Sequence, residues 1–225
     1  MEHHELKNYG EVYTGSASIE IQLKLFTSFP KELGILGTPK FLAKFPGKDR
    51  EWKGRQFKVV EERGITSSEF VEGMQYTISL YTALLDIFNK NEADKHFSKI
   101  TEKAGIMIWE HFLPTAEDFL RCPSPWEAFR KYFLEFHQAF DRANLVRFEV
   151  IQDTDSEFHI HCSDCAWDAV VREAGYPEAL CIASAADDIV YSRLAQGIGV
   201  QWRREARLCC GNAFCDFHFY RHQAP

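Results

Sequence analysis

The stretch that decides the fold is GNAFCDFHFY, residues 211–220, close to the end of the chain. A Gly-Asn turn opens it, and the alternation that follows is typical of a short strand. Phe217 and Phe219 share one face of that strand, whereas Asp216 and His218 share the other. The polar face therefore combines a carboxylate with an imidazole, groups that serve acid–base or metal chemistry near neutral pH.

Working outward, residues 144–225 alternate between strand and helix patterns. Strands are predicted from strict polar–apolar alternation, and helices from apolar residues at helical spacing bounded by Gly and Pro. The predicted elements are strands over 146–150, 158–162, 200–208 and 214–221, and helices over 164–174 and 179–194. This order, β-β-α-α-β-β, predicts an antiparallel sheet with helices on one side.

The preceding part of the chain divides into two segments. Residues 66–143 carry apolar residues at helical spacing and predict a helical block packed with the C-terminal unit, so the fold class is α+β. Residues 1–65 predict an irregular segment, because Pro and Gly recur closely over 28–66 and residues 1–17 are polar and predicted to be loosely held. Within it, Ile19–Leu25 alternates, which favours a strand over the alternative of a helix.

Composition excludes several classes of function. The net charge of −7 and the lack of a basic block argue against a nucleic-acid surface. No apolar run is long enough for a membrane span, and the polar N-terminus does not suit a secretory signal. Seven cysteines without an export signal predict reduced thiols in a soluble, cytoplasmic protein, whose oligomeric state the sequence leaves open.

Two histidines and two cysteines lie close together in the strand over 158–162 and just beyond it. His159 and His161 share a face, which is either a solvated strand face or, together with His218, the ligand set of a metal-dependent enzyme. A zinc site built on Cys162 and Cys165 is disfavoured because no second CxxC pair occurs. Cys162 is predicted to be buried, while Cys165 begins a helix whose dipole favours the thiolate and is the better nucleophile.

The helix over 179–194 places a polar stripe on an otherwise apolar element. Steps of three and four bring Cys181, Ser184 and Asp188 to one face, with Asp187 about 100° away. The stripe is either an exposed face or the wall of a pocket that carries a carboxylate. In the third strand, Arg204 is either a fork for a substrate carboxylate or a member of a surface ion pair.

Several of these residues occur in the order and spacing of a known family pattern. Cys165 precedes the run Arg172–Glu178, and Arg204 lies seven residues before Gly211. The other matching positions are Asp187, Asp188, Cys215, Asp216, Phe217 and Phe219. On these residues, the chain over about 145–221 resembles the L-2-amino-thiazoline-4-carboxylic acid hydrolase family. It departs from the pattern at Ser184, where the family has a cysteine (Cys181 lies one helical turn away), at Asn212 for aspartate and at His218 for arginine. It also departs after the arginine, where Glu205 and Arg207 stand in place of threonines.

The resemblance implies hydrolytic opening of a small cyclic C=N substrate, an amidine, to an N-carbamoyl amino acid, without a metal or other cofactor. It implies catalytic roles for Cys165, Asp187, Asp188, Cys215 and Asp216, and substrate contacts from Arg204, Ser184, His218 and Cys181. Cys165 would be a covalent nucleophile if it converges with Asp187. The alternative is a non-enzymatic domain that binds an apolar ligand between Phe-rich helices, in the manner of the 4-vinyl reductase family.

Overall fold

The computed structural model describes residues 19–221, with side chains from Phe29 onward. Helices fill most of the first two thirds of this range, and a sheet with three short helices follows. In chain order the elements are α1 (Ile19–Trp52), α2 (Lys58–Glu62), α3 (Ser68–Leu85), α4 (Lys90–Phe112), α5 (Ala116–Leu120), α6 (Pro125–Arg142), β1 (Val146–Asp153), β2 (Glu157–Cys165), α7 (Ala166–Glu173), α8 (Pro177–Ala183), α9 (Ala185–Gly197), β3 (Gln201–Arg203) and β4 (Cys215–Tyr220).

The four strands form one antiparallel sheet in the order β1-β2-β4-β3. The prediction of an α+β fold with an antiparallel C-terminal sheet is confirmed. β1 and β2 form the predicted hairpin, and β4 inserts between β2 and β3, so that His161 lies opposite Asp216 and His159 opposite His218. The central pair of strands therefore carries most of the polar residues singled out from the sequence.

The N-terminal predictions are wrong for the described residues. The Ile19–Leu25 alternation belongs to α1 rather than to a strand, and the segment over 28–66 is mostly helical rather than irregular. Pro30, Pro39 and Pro46 lie inside α1, which bends at Gly34, where φ is 72°. Packing of α1 along α3 and α4 compensates for the backbone hydrogen bonds that proline removes. The prediction for residues 1–17 lies outside the described range.

The helical block agrees with the sequence, and its helices begin at capping residues. Ser67 Oγ accepts a hydrogen bond from the backbone N–H of Phe70 at the start of α3. Pro125 occupies the first turn of α6, where its missing N–H costs nothing. The predicted aromatic stripe of α6 is buried and packs on the sheet, with the Phe133 ring 5.1 Å from that of Phe219. This face of the sheet is therefore closed by helices.

Two of the C-terminal elements differ from their predictions. The helix predicted over 179–194 is broken at Ser184 into α8 and α9, because the ψ angle of this residue, −6°, departs from the helical value. The third strand ends at Arg203 instead of near 208. The backbone N–H of Asp216 bonds the carbonyl of Ala206 there, outside the β3–β4 ladder. Residues 204–214 leave the sheet and include a short 3₁₀ helix, Leu208–Cys210, which contacts α8 and β2.

Candidate active site

A buried arginine organises the helix-facing side of the sheet. The Arg204 side chain is 2% exposed, and its Nη1 lies 3.1 Å from Asp187 Oδ2 while its Nε lies 2.7 Å from Asp188 Oδ1. Its Nη2 donates to the carbonyl of Ser184, at 2.6 Å. Three groups around the α8–α9 break thus hold one guanidinium, which is an arrangement for a buried ion network rather than for a surface pair.

Asp187 is fixed from a second side by a residue that the sequence did not single out. Trp109 of α4 donates its Nε1–H to Asp187 Oδ1 at 2.9 Å. This contact requires a close approach of α4 and α9 at Gly105, one turn earlier, where a Cβ atom would lie 2.5 Å from the Cβ of Ala186. Gly105 weakens the helical pattern in the sequence, and the structure gives its physical reason. The sequence carries no signal for the Trp109 contact, because the pair is 78 residues apart.

The electrostatics of the cluster favour a proton-accepting carboxylate. Burial raises the pKa of Asp187, and this effect outweighs the opposing influence of Arg204 and of the Trp109 hydrogen bond. The Asp187 side chain keeps 21% of its surface exposed and that of Asp188 keeps 30%, although Oδ1 of Asp188 is itself buried. An accessible carboxyl with a raised pKa can act as a general base or acid.

A second cation, Arg207, completes the cluster. Its Nη2 pairs with Asp188 Oδ2, and its side chain is 27% exposed, far more than that of Arg204. The backbone of Arg207 is held by Asn212, whose Oδ1 accepts the Arg207 N–H at 3.0 Å. An aspartate, which the family pattern has at this position, can accept the same hydrogen bond. With two arginines and two aspartates, the cluster is neutral overall.

The free thiols beside this cluster are protonated at neutral pH. Burial raises the pKa of Cys165 to about 12, although backbone N–H groups at the start of α7 lower it. The expectation that the helix dipole would favour a thiolate is therefore wrong, because desolvation outweighs the dipole. Cys162 is buried as predicted, and burial also raises its pKa. Burial also raises the pKa of Cys215, and the nearby Arg204 guanidinium opposes that rise.

Cys181 is not a free thiol. It forms a disulfide with Cys210, so the expectation of seven reduced cysteines is wrong for this pair, and five cysteines are free. The hydroxyl of Ser184, which stands where the family has a cysteine, lies 3.5 Å from the Sγ of Cys209. Cys209, which is not among the predicted catalytic residues, therefore brings a thiol close to the Ser184 position.

Two of the predicted site residues, Asp216 and His218, lie on the opposite face of the sheet. Asp216 Oδ1 is 2.5 Å from the Nε2 of His159 and 3.5 Å from that of His161. His218 Nε2 is 2.7 Å from Glu157 Oε1. The predicted shared face of His159 and His161 is confirmed, and burial lowers the pKa of His161. The structure does not bring this group to Arg204.

The predicted residues thus separate into two sites. Ser184, Asp187, Asp188 and Arg204 meet directly at the α8–α9 break. Cys215 lies near enough to interact electrostatically with Arg204, whereas the structure shows no contact between Cys165 and the cluster among the described residues. Cys181 is tied into the disulfide, and Asp216 and His218 lie across the sheet. The aromatic rings of α6 pack against one another and against β4 as core, so the Phe-rich helices give the alternative of an apolar ligand site no support.

Fold and site together define an α+β domain in which a buried Arg–Asp network joins the last strands to the preceding helices. The chain belongs to the L-2-amino-thiazoline-4-carboxylic acid hydrolase family, whose profile matches residues 71–219. The match begins in α3, so it includes the helical block, which carries none of the family motifs recognised in the sequence. Neither a curated protein nor a solved structure matches the chain. Among the residues that the structure describes, no helix combines the length and apolar character needed to cross a membrane.

Proposed function

We propose that the chain is a hydrolase that opens the ring of L-2-amino-thiazoline-4-carboxylate or a closely related cyclic amidine. The observation that carries this proposal is the Arg204–Asp187–Asp188 cluster. It lies within the range matched by the family and presents two partly exposed carboxylates beside two guanidinium groups. Membership of the family supports a hydrolase of the thiazoline ring, and the cluster supplies groups of the right chemistry.

The charges of the cluster complement those of the substrate. A 2-amino-thiazoline carboxylate carries an amidinium group and a carboxylate, so it is a zwitterion that a neutral cluster of paired charges can bind. The amidinium matches the carboxylates as a guanidinium would, through paired hydrogen bonds. Arg207 takes the substrate carboxylate, because it is partly exposed, whereas all three sides of the Arg204 guanidinium are occupied. Arg204, expected from the sequence to hold that carboxylate, becomes a positioning residue for Asp187 and Asp188.

Hydrolysis then proceeds by attack of water on the ring carbon between nitrogen and sulfur. Asp187 accepts the proton as the new C–O bond forms, and its raised pKa suits that role. The C–S bond breaks next, and the proton returns to the departing sulfur. The product is an N-carbamoyl amino acid with a free thiol, and the overall balance is the addition of one water. Cys165 takes no covalent part, because it is a thiol at neutral pH.

The test is turnover of L-2-amino-thiazoline-4-carboxylate by the purified full chain, with the N-carbamoyl product followed by mass spectrometry. We expect Asp187→Asn to lower kcat by about 100-fold or more, as loss of a general base does. Asp141→Asn is the matched control, because Asp141 pairs with an arginine at the surface, and it should leave kcat unchanged. No turnover by the wild type would refute the proposal, and loss of turnover in Cys165→Ala would restore the covalent route.

A further inference from the structure

We infer that the outer face of the sheet binds a divalent first-row transition-metal ion through His159, His161 and Asp216. The ligand atoms of these three side chains all lie within 4.8 Å of one another. The site is separate from the Arg204 cluster, since it occupies the opposite face of the sheet, and it does not depend on the proposed hydrolysis.

The geometry of the two central strands builds this group. His159 and His161 are two residues apart on β2 and therefore share a face, and Asp216 lies opposite His161 on β4. Ligand atoms about 2.0–2.2 Å from a tetrahedral zinc ion lie roughly 3.3–3.6 Å apart. The separation of His161 Nε2 from Asp216 Oδ1, 3.5 Å, already falls in that range. The separation of His159 Nε2 from the same oxygen, 2.5 Å, needs to widen by about 1 Å, which a side-chain rotation supplies.

The carboxylate is held in place for this role. Asp216 is 6% exposed, and its Oδ2 accepts the backbone N–H of Glu205 at 3.2 Å, which leaves Oδ1 directed at the two imidazoles. The ring of His161 stacks on Phe214 with centroids 3.7 Å apart, which fixes its plane. Outer contacts of this kind orient the ligands of metal sites in proteins. A buried carboxylate aimed at two imidazole nitrogens is thus pre-organised as a ligand set.

The donor set selects the class of metal. Two imidazoles and one carboxylate suit Zn²⁺, Fe²⁺, Co²⁺ or Ni²⁺, whereas Mg²⁺ and Ca²⁺ take oxygen ligands almost exclusively. Three protein ligands leave at least one position for water, as in open zinc sites. Solvent reaches the site because the side chains of His159 and His161 are 19% and 23% exposed.

A competing group shares one ligand with this site. Glu157, His159 and His218 also place their ligand atoms within 4.8 Å of one another. The set with Asp216 is favoured because its carboxylate is the more buried of the two, with a side-chain exposure of 9% against 28% for Glu157. His3 and His4 are a further imidazole pair in the sequence and need their own control.

The experiment is a titration of the full chain with Co²⁺, followed by visible d–d absorption, with Zn²⁺ competition to measure affinity. We expect one equivalent to bind, and His161→Gln and Asp216→Asn each to lower the affinity by about 100-fold or more, because even outer-shell substitutions cost 10–100-fold. His218→Gln and the His3→Ala/His4→Ala variant should bind as the wild type does. Asparagine keeps an acceptor for the Glu205 N–H, and circular dichroism checks that each variant is folded.

Three outcomes would overturn the inference. The first is that the wild type does not bind a stoichiometric ion, and the second is that the His3→Ala/His4→Ala variant loses binding. The third is that His218→Gln loses binding while His161→Gln retains it. The last result would assign the ion to the group with Glu157. Since the readout is metal absorption, failure here leaves the hydrolase proposal untouched, and failure of turnover leaves the metal site untouched.

Discussion

The two faces of the C-terminal sheet carry polar clusters that are assembled in different ways. On the helix-facing side, Arg204 gathers Asp187, Asp188 and the Ser184 carbonyl from across the α8–α9 break, and Trp109 reaches in from α4. The outer cluster is made by two neighbouring strands alone. The inner cluster is therefore a product of packing between distant elements, whereas strand alternation suffices for the outer one.

This difference has energetic consequences. Charges on the inner face are enclosed by helices, so each depends on its partners to offset the cost of leaving water. On the outer face, His159 and His161 keep about a fifth of their side-chain surface exposed, 19% and 23%, and remain available to a ligand from solvent. Changes on the inner face should therefore alter stability strongly, and changes on the outer face should alter binding.

The largest effect is expected from removal of the inner guanidinium. Arg204→Met leaves Asp187 and Asp188 without their shared buried partner, which should lower the free energy of unfolding by about 3–5 kcal/mol. Arg147→Met breaks an exposed pair with Asp141 and should cost about 0–1 kcal/mol. Urea unfolding of both variants measures the contrast, and equal losses would mean that the inner network behaves as a surface pair.

The second-largest effect on stability is expected from removal of the Cys181–Cys210 disulfide, which joins α8 to the loop over 204–214. Cys181 and Cys210 are 29 residues apart, and closing a loop of that length stabilises the folded state by about 3–4 kcal/mol. The double Cys181→Ser/Cys210→Ser variant should lose that amount in urea unfolding without reductant, and Cys122→Ser should not. Titration of thiols in the denatured, unreduced protein should find five of seven; finding all seven would contradict the bond.

A smaller effect is expected where α4 meets α9. Gly105→Ala forces apart the helices that bring Trp109 to Asp187, so overpacking should cost about 1–3 kcal/mol. Gly73 in α3 is the matched control, because a Cβ there meets no atom within 4 Å, and Gly73→Ala should stabilise by about 0.5–1 kcal/mol. Thermal unfolding distinguishes the opposite signs. Stabilisation by both substitutions would show that the approach of the helices is not tight.

The smallest effect concerns pH. Because the pKa of Cys165 is raised from 9.0 to about 12 in the folded state, its contribution to stability is complete below pH 9 and declines as the pH rises toward 12. Between about pH 9 and pH 10.5, Cys165→Ala should therefore lose less stability than the wild type, by on the order of 1–2 kcal/mol. Ser163→Ala, at an exposed neighbour, should follow the wild type. Parallel curves for all three proteins would mean that the thiol is not desolvated.

Sequence patterns predicted the elements whose local signals agree with their packing. The structure confirms the helices predicted from capping at Ser67, from Pro125 in a first turn and from the aromatic stripe of α6. The pattern misled over Ile19–Leu25, where a short alternation lies within a long helix. The pattern was also wrong at Ser184. It predicted one continuous helix there because the apolar spacing continues, whereas the backbone breaks between α8 and α9. In both places the local pattern fits two structures, and tertiary contacts decide between them.

The site shows the same division. The order of Asp187, Asp188 and Arg204 in the family pattern predicted them as site residues. Only the structure shows that their side chains contact one another. Trp109 carried no signal, since its contact with Asp187 joins residues 78 positions apart in the chain. Arg207 stood out only as a departure from the family pattern, and its contact with Asp188 depends on where β3 ends. The protonation of Cys165 could not be predicted either, because desolvation is a property of the packed state.

By itself the sequence determined the α+β class, the strand faces and the chemical types of the groups available. These follow from period-2 and period-3.6 patterns, which act over a few residues. Only the tertiary structure decided which groups meet, which face of the sheet each occupies and which charge state each holds. Those properties depend on distances between residues far apart in the chain and on exclusion of water, and neither is encoded in a local pattern.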